Sequence, residues 1–250
     1  MKFIRTTGLL AAAALVTIMM QSVTAHASSV SYVDWTSGTP SSVPSTPGSV
    51  TGTLLIGSNL IDVTYTGDVL QFNPGDSPVN YGPSSDFTAG GTINPPPYTG
   101  MIELSQGYYG GYGPTSNLTF SNTLTFSTPV TDPIIDVVSL GWGGAQTTDY
   151  NFSATPIILS QGSDIWGGTS GDLWVVGDTL YGYEGTGAVQ FDGTFSSITW
   201  SATGGEDWNG ITAGAPTPEP DSLILLGSGL LGLAIVAFRK AKSAGFSMRL

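Results

Sequence analysis

The sequence has no cysteine, and it has no lysine or arginine between Arg5 and Arg239. Its single histidine, His26, lies close to the N-terminus. Residues 28–217 therefore cannot form disulfide bonds, Ser-His-Asp or Cys-His catalytic groups, zinc sites of histidine or thiolate, lysine Schiff bases or arginine clamps for anions. These absences exclude most nucleophilic and zinc-dependent enzymes from that part of the chain.

Acidic residues dominate the same region. Two of the 18 acidic residues, Glu219 and Asp221, lie in the C-terminal tail, which leaves 16 in residues 28–217 and no basic residue beside them. Side-chain salt bridges cannot form there. Nucleic acids are not expected partners, because their binding depends on Lys and Arg.

Carboxylates are the remaining groups that could carry chemistry. A glycosidase that uses two carboxylates needs neither His nor Lys, and the region holds Glu103, Glu184 and Glu206 besides its aspartates. Calcium is a second alternative, because it prefers oxygen ligands. The acids that could supply them cluster in the last third of the region: Asp164, Asp172, Asp178, Asp192, Glu206 and Asp207. We predict a non-catalytic protein with no catalytic residue, no metal site and no cofactor, with Ca²⁺ and the glycosidase kept as alternatives.

The N-terminal residues have the pattern of a secretory signal peptide. Lys2 and Arg5 give a positive start, residues 8–20 are apolar, and Ala25-His26-Ala27 matches the small-x-small pattern that signal peptidase accepts. The apolar run is short for a membrane span of about 20 residues. We predict that residues 1–27 are a signal peptide, that Ala25 and Ala27 define the cleavage site, and that signal peptidase is a partner.

The C-terminal residues divide into three parts. A proline-rich linker (215–222) contains Pro218-Glu219-Pro220, an uncharged run follows (223–238), and a basic tail (239–250) begins with Arg239, Lys240 and Lys242. As a helix, the uncharged run reaches about 24 Å, slightly less than a hydrocarbon core of about 30 Å. Local thinning of the bilayer can close such a gap. We predict a transmembrane helix at 223–238 and a cytoplasmic tail at 239–250, because basic residues favour the cytoplasmic side.

This order of Pro-Glu-Pro, short apolar helix and basic cluster resembles the PEP-CTERM sorting signal. The resemblance implies that the chain is a substrate of exosortase, a membrane protease of Gram-negative bacteria that make extracellular polysaccharide. It further implies export across the inner membrane, cleavage near residues 218–220, and delivery of the upstream domain to the cell surface or the medium. A retained single-pass anchor in the inner membrane is the alternative.

Residues 28–214, which we call the cargo domain, have the pattern of short β-strands. Residues 50–56 and 60–65 flank Gly57-Ser58 and predict a hairpin, while residues 134–138 predict a fully buried strand. Later strands are predicted at 173–176, 180–183, 188–191, 195–200 and 209–212, and residues 36–49 are predicted to be a surface loop. The pattern favours an all-β fold: a single β-sandwich, jelly-roll-like, between a cleaved signal peptide and one C-terminal transmembrane helix.

The sequence favours a structural or adhesive role at the cell surface or in an extracellular matrix. The alternative is a carbohydrate-binding, lectin-like module for extracellular polysaccharide, because aromatic faces can stack on sugar rings. Trp142, Trp166 and Tyr109 are the predicted glycan contacts, since glycine follows each of them and such segments favour surface loops. Trp174 and Trp200 lie within strand patterns and are predicted to be in the core.

Overall fold

The computed structural model describes residues 29–41, 46–71, 93, 100–104, 121–142, 147–163, 167–204, 208–217 and 222–243. Within the last range, side chains are described only at residues 227–236 and 239. The elements of this described part are β1 (Val30–Tyr32), β2 (Asp34–Thr39), β3 (Gly48–Ile56), β4 (Asn59–Gly67), β5 (Ile102–Leu104), β6 (Ser121–Thr131), β7 (Ile134–Leu140), β8 (Thr148–Phe152), β9 (Ile157–Gly162), β10 (Leu173–Val176), β11 (Thr179–Gly182), β12 (Gly185–Gln190), β13 (Thr194–Thr203), β14 (Asn209–Pro216) and α1 (Ser222–Ser243).

The strands form two antiparallel sheets. The six-stranded sheet has the order β1-β14-β7-β12-β9, and β5 also pairs with β14. The eight-stranded sheet has the order β10-β11-β8-β13-β6-β4-β3-β2. The prediction of a mostly β fold is confirmed.

The last strand of the cargo domain, β14, is an interior strand of the six-stranded sheet. One side of it pairs with β7. The other side pairs with two short strands, placed end to end: β1 beside residues 214–216 and β5 beside residues 209–211. The sheet therefore depends on pairing between the first and the last strands of the domain.

The inward faces of the two sheets share one hydrophobic core. Its centre is aromatic: the ring of Trp200 lies 5.7 Å from that of Tyr65 and 5.5 Å from that of Phe152, and Phe152 lies 4.9 Å from Phe191, measured between ring centroids. Aromatic pairs at such distances add about 1 kcal/mol each beyond the area they bury. Trp200, only 2 % exposed, is in the core as predicted.

The first hairpin forms where the sequence predicts it. β3 and β4 pair along their whole length and turn at Gly57-Ser58. Gly57 has φ 62°, a left-handed conformation that glycine adopts without steric cost. The fully buried strand at 134–138 is also confirmed, because every residue of β7 is buried.

Residues 36–49 are not a loop throughout, so this prediction is wrong in part. β2 continues to Thr39 and β3 begins at Gly48, and the two strands pair through Ser37 with Thr51 and Thr39 with Ser49. Their side chains are polar because β2 is the outermost strand of its sheet and one face meets water. β14 likewise continues to Pro216, into the segment predicted as linker (215–222).

The helix α1 covers the uncharged run (223–238) and continues into the basic tail. Its described side chains at 227–236 are exposed. Across the part of the chain that the structure describes, no helix is long and apolar enough to cross a membrane. The transmembrane helix at 223–238 stays a prediction.

Candidate functional site

Two rows of hydroxyl side chains cross the outer face of the eight-stranded sheet, on strands β2, β3, β4, β6 and β13. The strand register places five residues side by side in each row. None of the ten is buried. We call them the hydroxyl rows: Ser37, Thr51, Thr64, Thr125 and Ser197 in the first, and Thr39, Ser49, Thr66, Thr123 and Thr199 in the second.

The hydroxyl rows follow from alternation along the strands. Residues between them, such as Val50, Tyr65 and Leu124, point inward and are buried. Threonine suits the outward positions because its branched side chain favours a strand and its hydroxyl meets water. Neighbouring strands lie about 4.8 Å apart and the rows about 6.8 Å apart, so the hydroxyls form a regular lattice on a sheet face.

An aromatic pair, one ring exposed and the other partly buried, lies on the same face at the opposite edge. Trp174 on β10 is the cross-strand partner of Tyr181 on β11, and their rings are parallel, at 7° and 5.5 Å between centroids. Trp174 is 37 % exposed, so its prediction as a core residue is wrong. The reason is that β10 is an edge strand whose Leu173 points inward, which turns Trp174 outward.

Polar residues continue from the aromatic pair toward the hydroxyl rows. Tyr181 is paired with Asp149 on β8, and Asp149 with Thr203 on β13. The Thr203 hydroxyl donates to a carboxylate oxygen of Asp149. On the next row, the Asn151 amide donates to the Thr179 hydroxyl at 2.7 Å. The face therefore presents rings, then a carboxylate and an amide, then hydroxyls.

Trp142, a predicted glycan contact, is 46 % exposed. It follows Gly141, whose φ of 94° and position against the Gly182 carbonyl leave no room for a side chain. Gly141 also lies against the backbone of Tyr183, whose side chain is 38 % exposed. The other predicted contacts, Trp166 and Tyr109, lie outside the described residues.

Two of the three glutamates named as glycosidase candidates have separate local partners. Glu184 accepts a hydrogen bond from the Ser139 hydroxyl at 2.6 Å, and both residues have φ 54°. Glu103 accepts a hydrogen bond from the Trp208 indole at 3.1 Å, and its burial raises the pKa of its carboxyl. Glu206 lies outside the described residues.

Asp136 is a buried carboxyl on the outer side of the six-stranded sheet. Its cross-strand partners are Thr212 and Ala188. Its side chain points away from the core, whereas the side chains of its neighbours Ile135 and Val137 point into it. The Tyr32 hydroxyl interacts with it, at a geometry short of a regular hydrogen bond. Burial raises the pKa of Asp136 well above its ordinary value, more than the Tyr32 interaction lowers it.

The predicted calcium ligands are only partly described. Asp172 accepts hydrogen bonds from the backbone and the hydroxyl of Thr169, and Asp178 accepts one from the Thr155 hydroxyl. Asp164, Glu206 and Asp207 lie outside the described residues. Over the described ranges, no group of three or more His, Cys, Asp or Glu side chains could hold a metal ion.

The two ends of the cargo domain meet at the edge of β14. The Thr217 backbone N–H donates to the Ser29 carbonyl at 3.1 Å, and the Thr217 hydroxyl donates to the same carbonyl at 3.2 Å. The two hydroxyls also form a hydrogen bond. Thr217, which precedes Pro218, is thus hydrogen-bonded to Ser29, the second residue after the predicted signal-peptide cleavage site.

Comparison with known families identifies the tail that leaves this edge. Residues 216–240 match the family model described as PEP-CTERM protein-sorting motif. The chain carries a PEP-CTERM sorting signal. No curated protein and no solved structure matches the chain.

The PEP-CTERM signal confirms the resemblance found in the sequence and supports export toward the cell surface with processing by exosortase. Arg239 of its basic cluster is exposed. Pro218, Glu219 and Pro220 lie outside the described residues, as do Ala25 and Ala27, and the side chains of Lys240 and Lys242 are not described. Their roles stay predictions.

Neither the aromatic pair nor the hydroxyl rows are among the sites predicted from the sequence. A signal for the rows was present, because Thr or Ser alternates with apolar residues or glycine at 49–54, 63–66 and 123–126. No comparable signal marked Trp174, since Leu173-Trp174-Val175-Val176 is apolar throughout. The sequence therefore does not show which residues of β10 face the solvent.

Proposed function

We propose that this protein is an exported, non-catalytic component of the cell surface or extracellular matrix, delivered by its PEP-CTERM signal. Residues 1–27 direct export and are removed. The helix at 223–238 then holds the chain in the inner membrane, with the basic tail in the cytoplasm, until exosortase cuts near residues 218–220. The observation that carries this proposal is the sorting motif at 216–240, which begins where β14 ends.

The strand order supports a jelly-roll-like sandwich as the exported fold. Eight of the described strands, taken in chain order, correspond to the eight strands of a jelly roll: β1, β6, β7, β8, β11, β12, β13 and β14. Their neighbours are β1-β14-β7-β12 in one sheet and β6-β13-β8-β11 in the other, which is the jelly-roll arrangement. β2, β3, β4 and β10 extend the eight-stranded sheet beyond this unit, and β5 and β9 extend the six-stranded sheet.

The non-catalytic role is supported by composition and by the carboxylates. Residues 28–217, which remain after removal of the signal peptide and the tail, contain no His, Cys, Lys or Arg. Glu103 and Glu184 each bond to a local partner, Trp208 and Ser139 respectively. Asp136, which is fully buried, cannot meet a substrate from solvent.

Intact mass measurement tests the delivery route. The protein recovered from the medium or surface of its host should begin at Ser28 and end near residues 218–220. Replacing Pro218, Glu219 and Pro220 by alanine should leave a membrane-bound chain that ends at Leu250. Asp221→Ala, just outside the motif, is the matched control and should be processed normally. An unaltered mass through Leu250 in the wild type would contradict the proposal.

The non-catalytic role has its own test. The protein should release no soluble sugar from a panel of neutral and anionic polysaccharides. Hydrolysis that disappears in Glu103→Gln or Glu184→Gln would make the protein a glycosidase and overturn this part of the proposal.

A further inference from the structure

We propose that the outer face of the eight-stranded sheet binds a neutral polysaccharide, with Trp174 and Tyr181 as its stacking site. This goes beyond the proposed function, which assigns a destination and no ligand. The described features that support it are the aromatic pair with its exposed Trp174, the polar residues beside it, the hydroxyl rows and the charge of the domain.

The aromatic pair is suited to a sugar ring. The face of an aromatic ring is electron-rich and attracts the C–H hydrogens of a pyranose, as it attracts other positive edges. Tyr181 stacks in parallel on Trp174 and holds it in place, so that little side-chain freedom is lost on binding. Tryptophan and tyrosine that are anchored in this way carry much of the free energy at binding sites.

Groups that bond sugar hydroxyls lie beside the pair on the same face. Asp149, paired with Tyr181, accepts from Thr203 and has further lone pairs on its two oxygens. Asn151, in the adjacent row, is exposed and offers both donor and acceptor groups. Because β8 lies two strand spacings, roughly 10 Å, from β10, these side chains would bond the sugar units that follow the one stacked at Trp174.

The size of the face indicates a polymer. From β10 to β2 the eight strands span roughly 34 Å at about 4.8 Å per strand, the length of several sugar units. The hydroxyl rows occupy the far five strands, and each serine or threonine can both donate and accept. The face therefore continues to offer hydrogen bonds well beyond the aromatic pair.

Charge selects a neutral ligand. Residues 28–217 carry 16 acidic residues and no lysine or arginine. An acidic polysaccharide would meet repulsion and no cationic partner, whereas a neutral one meets neither. The proposed occupant is consequently a neutral glycan chain.

Affinity electrophoresis of the purified full chain, in a zwitterionic detergent without sugar headgroups, tests the proposal. Gels containing hydroxyethylcellulose, a mixed-linkage β-glucan, a galactomannan or dextran should include at least one that retards the protein, and alginate gels should not. Trp174→Ala should weaken that retardation about tenfold or more, as expected for loss of an anchoring aromatic. Trp174→Phe, which keeps a ring, should retain most of it.

Two matched controls separate binding at the proposed site from adhesion through any exposed apolar side chain. Leu60→Ala removes a large exposed apolar side chain, 65 % exposed, from the β3–β4 hairpin at the other end of the sheet, and should not change binding. Trp142→Ala removes an exposed tryptophan from the six-stranded sheet's loop and should also leave binding intact. Urea midpoints within the error of the wild type would show that each variant is folded.

Several results would overturn the proposal. They are no retardation in any neutral polysaccharide, stronger retardation by alginate, equal loss with Leu60→Ala, and loss with Trp142→Ala but not with Trp174→Ala. Self-association that depends on Trp174, measured by sedimentation, without glycan binding would assign the face to a second copy of the chain. Because the assay uses purified protein, failure of the sorting route in the host would leave the result unaffected.

Discussion

The outer faces of the two sheets differ sharply. On the eight-stranded sheet the outer face is polar and open, and no residue of the hydroxyl rows is buried. On the six-stranded sheet the outer side of β7 is buried, so that Ile134, Asp136 and Val138 are each at most 1 % exposed. The two sheets share a core, but the six-stranded sheet is buried on both sides around β7, whereas the eight-stranded sheet leaves its outer face open to solvent.

This difference has a functional consequence. A sheet region that is buried on both faces exposes few side chains to a ligand. A sheet with one face in solvent can contact a ligand along the length of that face. Asp136 and Glu103 belong to the first kind of face, and Trp174 and Asp149 to the second. Residues for binding should therefore be sought on the eight-stranded sheet and residues for stability on the other.

The largest expected effect comes from placing a charge on each outer face. Val138→Asp on β7 should lower the free energy of unfolding by about 3 kcal/mol or more, because a buried carboxylate would have no cation to pair with. Thr125→Asp on β6 occupies an outward, exposed position and should change it by less than about 1 kcal/mol. Urea denaturation of both variants measures the contrast, and equal costs would mean that the two faces are equally buried.

The second prediction concerns pH. Folded Asp136 keeps its proton to a higher pH than the unfolded side chain, which ionises near 3.9. Above that pH, unfolding releases a proton, so the free energy of unfolding falls as pH rises, by up to about 1.4 kcal/mol per unit until the folded pKa is reached. Asp136→Asn cannot ionise and should gain stability over the wild type between pH 4 and pH 7.

Denaturation curves at several pH values check this expectation. The control is Asp62→Asn, which changes an exposed aspartate on β4 of the other sheet. A parallel pH dependence of wild type and Asp136→Asn would show that Asp136 ionises normally in the folded protein.

The smallest contrast compares two threonines. Thr212, buried on the same side of the six-stranded sheet as Asp136, accepts a hydrogen bond from the Trp35 indole at 3.2 Å. Thr212→Val should cost about 1–2 kcal/mol, since it leaves that indole N–H buried without a partner. Thr64→Val in the hydroxyl rows should change stability by no more than about 0.5 kcal/mol. Thermal unfolding of the pair would separate these values.

The elements that the sequence predicts well are those with local signals. The β3–β4 hairpin needs only alternation and a turn at Gly57-Ser58, and β7 needs only a continuous apolar run. The sorting signal is likewise contiguous, at 216–240. Each of these features is set by neighbours in the chain.

The features that the sequence does not predict depend on distant partners. The short strands β1 and β5 exist because β14 pairs with them. The burial of Asp136 depends on the sheets around it and on Tyr32 from the other end of the domain. Trp174 points outward because its neighbour Leu173 takes the inward side of β10 and packs in the core. These features depend on which strands are neighbours in the sheets. A short stretch of sequence does not carry that information.

The position of β14 also imposes an order on assembly. Under the proposed N-terminus-first export, residues 209–216 would emerge after every other described strand, yet β14 occupies an interior place between β7 and the short strands β1 and β5. The six-stranded sheet stays incomplete until the chain has emerged up to the residues just before the sorting signal. Retention at the membrane by that signal would therefore give the last strand time to insert, and release would follow completion of the fold.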